Sequence, residues 1–514
     1  MKIRIVVITI LFGWLTSCNS SDEFLAEDPR GQLFPESFFN NATEVDLFVT
    51  SVYKDITYVF TAYHERLDFM LAGNDGLTSL LSEELSQVET FSVSEGNTGI
   101  KLAWDRAWKP IKTANAFLKN YRRAEGNMDE KDLNCAAAEA RFGRAFIYFW
   151  LVRLFNEIPL ITEENNEVSY TIEKASPEEI YALIVEDLKF AEEWLPVNWD
   201  NHPTRSLAGY TKGAAKSLLA SVYLTMAGYP VNGGTEYYRL AAEKAKEVID
   251  REAEYGYRLL DNFADLWLNR PLINDEIVYA IIYGREDWDD WHDRVPLAGR
   301  PTGMGGWDQY AAEINFFNKF PEGPRKDATF VTTLKFQDGS ELKWEDMPLR
   351  HPYYAKEWID NDNFSWDRMW EFDDWYSDRS QWVIRYPEVL LTYAEAQARA
   401  TGTPDALAYQ CMKRVRERAG IMTSLPENLN GAAFADSVFV ERGWEFAGNE
   451  YCSRWFDLQR LELVEDAARA IPQKSFLPGR HAWELSIPIA PTKKSYFMPI
   501  PTDEILLNPN LKND

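Results

Sequence analysis

Indole rings beside carboxylates are the side chains of this chain whose types and spacing best fit a chemical task. Trp288, Asp289 and Trp291 are near neighbours, and Trp307 and Tyr310 follow on a glycine-rich stretch. Flat aromatic rings cover the C–H faces of pyranose sugars, and nearby carboxylates and amides bind sugar hydroxyl groups. We therefore predict that these residues contact a carbohydrate. The alternative for each ring is packing of the loops against the rest of the protein, which is the usual role of so large a side chain.

No pattern of comparable strength indicates catalysis. The histidines are widely scattered, at His64, His202, His292, His351 and His481. The sequence contains no HExxH motif, no GxSxG motif and no glycine-rich phosphate loop. Among 81 acidic residues, a carboxylate pair at glycosidase separation would be found by chance, so such pairs carry no information. We predict a binding protein with no catalytic residue, no cofactor and no metal site. A glycoside hydrolase is the enzymatic alternative, which released reducing ends would reveal.

The N-terminal segment predicts the cellular location. Lys2 and Arg4 precede an apolar run at 5–15 that is too short to span a bilayer as a mature helix, which is typical of a secretory signal. The ending Leu-Thr-Ser-Cys at Cys18 resembles the bacterial lipobox, in which the cysteine thiol takes a diacylglycerol and the peptide is cut before it. Two or more acyl chains anchor a protein stably. We predict a signal peptide at 1–17 and lipidation at Cys18; the alternative is a soluble exported protein with an incidental cysteine.

Charge and cysteine content exclude several classes of partner. The chain has 54 basic and 81 acidic residues and a net charge of −27, so nucleic acid and anionic lipid surfaces are unsuitable partners. Apart from Cys18 the cysteines are Cys135, Cys411 and Cys452, without CxxC spacing. They indicate neither a disulfide framework nor a zinc site. The acyl anchor is therefore the predicted membrane attachment, and an uncharged ligand is compatible with the acidic surface.

Helical periodicity dominates the sequence, and the predicted helices come in neighbouring pairs. Ser176, Pro177 and Glu179 form a capping box with proline at the first helical position, which predicts a helix start there. Small residues at regular intervals let paired helices approach closely. The predicted pairs are 44–56 with 104–121, 136–155 with 180–195, 211–229 with 237–249, and 386–400 with 404–419. Their arrangement is similar to tetratricopeptide repeats with irregular spacing, and a non-repetitive helical domain is the alternative.

Two further features complete the architecture that the residues predict. Residues 285–382 combine nine tryptophans with many Asp, Asn, Gly and Pro residues and little periodicity, so we predict a loop-rich insertion. We place the helical scaffold at about 40–255 and 384–465. Charged residues in otherwise apolar helices can satisfy one another as buried ion pairs. The residues predicted to do so are Arg141, Arg144, Arg385, Glu388, Arg442, Glu445 and Asp457.

Four segments, read together, resemble the SusD/RagB family of outer-membrane nutrient-binding lipoproteins. They are 24–53, 138–160, 384–420, and 441–460 with the closing stretch 499–509. The order matches the family over most of the chain, although Asn156 stands where the family pattern has a glycine, and 448–453 is longer than usual.

The resemblance implies a mainly α fold, in which a tetratricopeptide-like scaffold carries an irregular face that binds the ligand. It also implies that the single domain 18–514 captures an oligosaccharide and delivers it to a SusC-type TonB-dependent transporter, at the surface of a Gram-negative outer membrane. Family members bind glycans with an early loop, where Asn74 and Asp75 stand here. The alternative is a repeat-type scaffold whose helix grooves bind a protein or peptide.

Overall fold

Long amphipathic helices dominate the structure, as the periodicity predicts. The structure is a computed structural model that describes residues 38–60, 74–79, 87–200, 202–206, 209–267, 273–282, 299–347, 349–358, 369, 380–448, 450–451, 453–470 and 491–512. Its α-helices are Ala42–Phe60 (α1), Thr98–Asn120 (α2), Glu130–Phe155 (α3), Pro177–Trp194 (α4), Lys212–Ala227 (α5), Gly234–Ile249 (α6), Glu252–Tyr255 (α7), Ile314–Lys319 (α8), Pro324–Thr329 (α9), Tyr386–Thr401 (α10), Ala406–Arg418 (α11), Gly431–Glu445 (α12), Ser453–Arg460 (α13), Val464–Ala470 (α14) and Thr502–Leu507 (α15). The mainly α prediction is confirmed.

Strands are short and pair antiparallel in the described part of the chain. They are Leu77–Ser79 (β1), Ile158–Pro159 (β2), Lys174–Ala175 (β3), Ile277–Ile281 (β4), Tyr310–Ala312 (β5), Phe330–Val331 (β6), Thr333–Lys335 (β7), Glu341–Lys343 (β8), Tyr353–Tyr354 (β9) and Gln381–Arg385 (β10). The sheets are two-stranded, with β1 on β5, β2 on β3, β4 on β10, β6 on β9 and β7 on β8. Such small sheets connect loops to the helices and do not form a layer of their own.

The four predicted helix pairs pack against each other as α1 with α2, α3 with α4, α5 with α6 and α10 with α11. The predicted capping box is present, because the Ser176 hydroxyl accepts from the Glu179 amide and the Glu179 carboxylate accepts from the Ser176 amide. Helix α10 also packs on α6 and α12, where Ala241, Ala245 and Ala394 are fully buried. Alanines at this contact let the helix axes approach closely and join the pairs into one core.

The predicted ion pairs between helices are confirmed. Arg144 on α3 donates to Asp187 on α4 at 2.7 Å, and Arg141 of the same helix reaches Asp187 at 2.8 Å. Arg442 on α12 contacts Asp457 of α13 at 2.7 Å. The remaining predicted members are paired as Arg442 with Glu388 and Arg385 with Glu445. Arg385 differs from the prediction in one respect, since it is the last residue of strand β10 and not a helix residue.

The described part of the predicted insertion consists of loops, short strands, three-residue 3-10 helices and the two six-residue α-helices α8 and α9. It has a small apolar core that includes Met347, Tyr353 and Trp358, each fully buried.

No helix in the described ranges combines the length and the apolar character needed to cross a bilayer.

Candidate functional site

The pairing of strands β1 and β5 joins two loops that are far apart in sequence. In the antiparallel pair of β1 and β5, Leu77 lies opposite Ala312 and Ser79 lies opposite Tyr310. The Ser79 hydroxyl donates to the backbone carbonyl of Gln309 at 2.8 Å. The early loop at 74–76 leads into β1 at the end of this strand pair where β5 finishes, and the Gly76 carbonyl accepts from the Glu313 amide at 3.0 Å. The tryptophan-bearing loop at 300–309 leads into β5 at the other end of the pair. We call the two loops and the strand pair that joins them the paired-loop surface.

Asp308 fixes the shape of the loop that carries Trp307. Its backbone has a φ of 54°, in the left-handed region, and its carboxylate is fully buried. Oδ2 accepts from the amide and the hydroxyl of Thr302, at 2.9 and 2.7 Å, and Oδ1 accepts from the Tyr353 hydroxyl at 2.5 Å. Gly306 has no room for a side chain, because a Cβ would stand 2.1 Å from the carbonyl oxygen of Arg300. The loop is thus built around one conformation.

Trp307 and Tyr310 differ in what they present to solvent. The Trp307 indole is half-buried against the main apolar core, so part of its surface remains accessible. Tyr310 is only 1% exposed and is a strand residue. Its ring offers no face at the surface in this structure, because the β1–β5 pairing and the core cover it. Of these two predicted rings, Trp307 is therefore the one with accessible surface.

Asn74 and Asp75 hold the early loop in place. The Asn74 side-chain oxygen accepts from the amides of Gly76 and Leu77, at 2.8 and 3.1 Å, as in an Asx turn. Both carboxylate oxygens of Asp75 accept from the Arg454 guanidinium at 2.6 Å. These polar groups are already hydrogen-bonded within the protein. Asn74 is also buried, which leaves the half-buried Asp75 as the more accessible of the two.

Arg454 in turn is held by α12. Its guanidinium carbon lies 4.0 Å from the centre of the Phe439 ring, and its Nη1 donates to the Phe439 carbonyl at 3.2 Å. A Cβ at Gly443 would stand 3.0 Å from that same nitrogen, so glycine there leaves space for the guanidinium. This chain of contacts connects the paired-loop surface to the scaffold through a charge-assisted bidentate bond.

The other predicted site residues lie outside the described residues: Trp288, Asp289, Trp291 and the lipidation site Cys18. Among the described tryptophans of the insertion, Trp358 is fully buried, whereas Trp344 and Trp382 are half-buried. Trp382 packs at a tilt against Trp267 with ring centres 5.0 Å apart, and Trp344 meets Phe317 edge to face at 5.8 Å. Both contacts are with aromatic neighbours, which is the packing role that is the alternative to ligand binding.

A buried group of charges, which we call the charge hub, joins the insertion to the scaffold. Arg385 donates to Glu276 at 2.6 Å, to Glu445 at 2.8 Å and to Glu450 at 2.6 Å. Lys356 of the insertion reaches Glu450 at 2.6 Å. Charges of both signs are needed here, since a lone buried charge would cost several kcal/mol.

The hub also includes cations from the insertion and from α11. Arg325 contacts Glu445 at 2.9 Å, and Arg418 pairs with Glu445 and Glu276. Burial alone raises the pKa of the Glu445 carboxyl, but Arg418, Arg385 and Arg325 outweigh it and hold that pKa at about 2. Burial lowers the pKa of Lys356 to about 8 against the opposing attraction of Glu450. Glu445 is therefore ionised at every physiological pH.

Within the described ranges, no group of three or more His, Cys, Asp or Glu side chains could hold a metal ion.

Sequence reasoning missed Arg454 and Gly306 as residues that shape the site. Arg454 lies 379 positions from Asp75, so no periodic pattern could have joined them.

The two ends of the chain match sequence models of one family. Residues 23–224 match a model described as "Starch-binding associating with outer membrane", and residues 351–514 match the model of the SusD family. A SusD-like protein from Formosa agariphila, termed P2, is 28% identical, and the match covers 99% of this chain and 98% of that protein. The chain therefore belongs to the SusD/RagB family.

Solved structures agree on the fold. A SusD homolog from Bacteroides thetaiotaomicron matches with a TM-score of 0.79 at 23% identity, covering 94% of this chain and 98% of that one. A structure described as a laminarin-binding SusD-like protein matches with a TM-score of 0.72 at 22% identity, covering 91% and 98%. These likenesses establish the SusD-like fold of the helical scaffold.

Proposed function

We propose that this protein is a cell-surface lipoprotein that captures oligosaccharides and delivers them to a SusC-type TonB-dependent transporter. Binding without catalysis is the activity that the site chemistry favours, since the described residues supply a partly exposed indole and hydrogen-bonding groups. Membership of the SusD/RagB family supports a glycan ligand, as do the starch-binding description of one family model and the laminarin ligand of one structural neighbour. The net charge of −27 is compatible with an uncharged polymer.

One observation carries the proposal. Trp307 is a half-buried indole with accessible surface, and the β1–β5 pair joins its loop to the early loop, so that Asn74 and Asp75 lie at the other end of the strand pair. Sugar recognition combines a stacking ring with polar groups, and an oligosaccharide is long enough to contact groups at both ends of a three-residue strand pair. The Asp308 hydrogen bonds fix the loop that carries this indole, which reduces the ordering cost of binding.

Native gel electrophoresis with laminarin, starch or xyloglucan in the gel tests capture. We expect at least one of these glycans to retard the wild-type protein, and Trp307→Ala to weaken that affinity about tenfold or more. Trp108→Ala is the matched control, because Trp108 is also half-buried but belongs to scaffold helix α2. Failure of every glycan to retard the wild-type protein would overturn the proposed function, and equal retardation of both variants would remove Trp307 from the site.

The anchor and the transporter need a separate experiment. Cells that express the wild-type protein and are fed labelled palmitate should yield a labelled protein, whereas Cys18→Ala should remain unlabelled. The wild-type protein should also co-purify with a TonB-dependent transporter from solubilised outer membranes. An unlabelled wild-type protein would contradict the lipoprotein assignment, and a purification without such a transporter would contradict the delivery step.

A second candidate function, peptide binding by the scaffold, is favoured by one groove. A cleft of ≈ 680 Å³ lies between α11 and residues 421–427, where Met422 is 75% exposed. An apolar side chain with so much exposed surface can anchor a peptide. Fluorescence anisotropy with labelled peptides would detect such binding, and Met422→Glu should abolish it. Peptide binding that disappears in Met422→Glu and persists in Trp307→Ala would favour this second function.

A further inference from the structure

Two segments that share no residue with the paired-loop surface expose large apolar side chains. These side chains are Val168, Tyr170, Leu506 and Leu507, which are 71%, 60%, 74% and 57% exposed. The described part of the chain exposes eight large apolar side chains, so half of them come from these two short segments. Exposed apolar residues that cluster within polar surroundings mark interaction sites, whereas scattered ones do not. We call these four residues the apolar patch.

Two asparagines bind the segments to each other. Asn508 Nδ2 donates to the Ile172 carbonyl at 2.8 Å, and Asn510 Nδ2 donates to the Thr171 carbonyl at 2.9 Å. The acceptors directly follow one half of the apolar patch in sequence, and the donors follow the other half. The two bonds therefore hold both halves in one region of the surface.

The backbone beneath the apolar patch is ordered by contacts with the scaffold. On the C-terminal side, Leu511 is buried in the main core. On the loop side, Asn115 of α2 donates to the Ile161 carbonyl at 3.0 Å, and Asn166 donates to the Lys112 carbonyl at 3.1 Å. The exposed side chains are thus presented by a backbone that is already fixed, which lowers the ordering cost of docking a partner.

The rim of the apolar patch is acidic. Lys101 and Lys174 are half-buried and paired with carboxylates, at 3.4 Å from Asp503 and 3.1 Å from Glu157. A second copy of the chain would bring a second acidic rim, and an anionic lipid surface would be repelled in the same way. The complementary partner is a protein surface with an apolar centre and a basic rim. The exposed charged residues of 162–174 and 502–512 are Glu164, Glu167, Glu173, Asp503 and Lys512.

The apolar patch also lies close to the start of the described chain. Phe39 packs on Phe117 of α2 with ring centres 5.7 Å apart, and Asn115, which binds the loop, is two positions before Phe117. Side chains two positions apart lie on opposite sides of a helix, which is about 10–12 Å wide. The predicted lipidation site Cys18 is 21 positions before Phe39. An acyl anchor there would hold this side of the molecule near the membrane, where an embedded partner lies.

We propose that the apolar patch is the surface by which this protein docks on its outer-membrane transporter, against a transporter surface with an apolar centre and a basic rim. The transporter as occupant rests on the proposed function, whereas the place of the surface and the chemistry of its partner come from the exposed residues and their rim. Because the four side chains are exposed, charges introduced there act on docking and leave the fold intact.

Photo-crosslinking in intact cells tests the contact directly. The full-length lipoprotein carries p-benzoylphenylalanine in place of Leu506, and we expect light to yield an adduct that mass spectrometry identifies as containing a TonB-dependent transporter. The matched control places the crosslinker at Met422, which is 75% exposed against 74% for Leu506 and lies outside the apolar patch. The control should yield no such adduct. No transporter adduct from Leu506, or equal yields from both positions, would overturn the docking surface.

Co-purification measures how much the apolar patch contributes. The double variant Tyr170→Asp with Leu506→Asp should reduce the recovered transporter about tenfold or more, because carboxylates would have to be desolvated in the contact. Its unfolding midpoint and its glycan retardation should equal those of the wild-type protein. Raising the salt from 0.1 to 1 M, which shortens the Debye length from about 10 to about 3 Å, should also reduce recovery with the wild-type protein.

Trp307→Ala should show the opposite behaviour, with lost retardation and normal recovery of the transporter. Full recovery with the double variant would overturn the docking surface and leave capture and delivery standing. A wild-type protein that recovers no transporter would overturn the delivery step together with the docking surface.

Two other occupants are checked with the unlipidated Cys18→Ala protein. It should sediment as a monomer and should not bind vesicles of phosphatidylethanolamine and phosphatidylglycerol. A dimer that the double variant abolishes would assign the apolar patch to a second copy, and vesicle binding that it abolishes would assign the patch to lipid. Either result would overturn the proposal.

Discussion

The helical scaffold and the insertion at 299–358 keep their shapes by different means. The scaffold is built of helices such as α3, which has 26 residues and buries most of its side chains in one continuous core. The described insertion has two- and three-residue strands and a small core of its own. Its position depends on particular bonds, such as those of Asp308, more than on buried apolar area. The regular helices therefore support irregular loops, because the small core of the insertion would not be enough to keep those loops folded.

The charge hub is where the two regions meet. Arg325 and Lys356 come from the insertion, and their partners Glu445 and Glu450 belong to the scaffold side. Aromatic contacts such as Phe320 with Trp444, 6.2 Å apart, add to this junction. Apolar contacts tolerate small shifts, but buried ion pairs with fixed geometry do not. The hub therefore determines the position of the insertion relative to the scaffold.

Arg385→Met should have the largest effect on this junction. It leaves Glu276, Glu445 and Glu450 short of a cation in a buried site, which should lower the free energy of unfolding by about 3–5 kcal/mol. Denaturant unfolding measures the change. Arg258→Met is the matched control, because its pair with Asp275 is 55% exposed on both sides and should contribute at most about 0.5 kcal/mol. Equal losses in the two variants would mean that the hub does not hold the regions together.

Gly306→Ala tests whether the insertion depends on individual backbone contacts. A Cβ placed 2.1 Å from the Arg300 carbonyl oxygen forces that backbone apart, and we expect a loss of about 2–3 kcal/mol. Gly303→Ala is the control, since a Cβ there meets nothing within 4 Å. Glycan retardation should fall with Gly306→Ala and remain with Gly303→Ala. An unchanged unfolding midpoint for Gly306→Ala would show that the loop adapts freely.

The scaffold could be predicted from sequence because its signals are local. Apolar spacing, alanine positions and the Ser176 capping box each act within a few turns of one helix, and the four pairs follow from them. The ion pairs were also predictable, because an arginine inside an apolar helix requires a carboxylate. Their partners were less accessible to sequence reasoning, since Glu276 and Glu450 lie in segments without helical periodicity.

The site was predicted only in part, because long-range contacts determine it. The interpretation of Trp307 as a surface ring fits its half-buried state, whereas Tyr310 lies in a buried strand that its sequence neighbourhood does not indicate. The bond between Asp75 and Arg454 joins residues at opposite ends of the chain. Asn156 stands where the family pattern has a glycine, and its φ of 67° gives the physical reason why a glycine is expected there.

The buried Lys356 of the insertion should make the stability of the protein depend on pH. Burial lowers its pKa in the folded protein from 10.5 to about 8, so between these values the unfolded chain holds more protons. The free energy of unfolding therefore rises with pH in this window. Across the whole window the rise is about 1.4 kcal/mol for each unit by which the folded and unfolded pKa values differ. Relative to Lys356→Met, the wild-type protein should gain about 2 kcal/mol between pH 7 and about pH 9.5. Urea unfolding of both proteins at the two pH values measures this gain. If the difference in unfolding free energy between the two proteins is the same at both pH values, the pKa of Lys356 is not lowered by burial.

Asp75→Asn should have the smallest effect and the most local one. The pair with Arg454 is partly exposed, at 25% and 16%, so its loss should lower the free energy of unfolding by about 1 kcal/mol. Hydrogen exchange should nevertheless accelerate at the amides of β1, because the bidentate bond ties this strand to α13 on the scaffold. Asp105→Asn is the control, since its exposed pair with Lys101 lies within α2. Faster exchange throughout α12 and α13 would contradict this, because it would mean that the scaffold itself, and not only the loop that it holds, depends on Asp75.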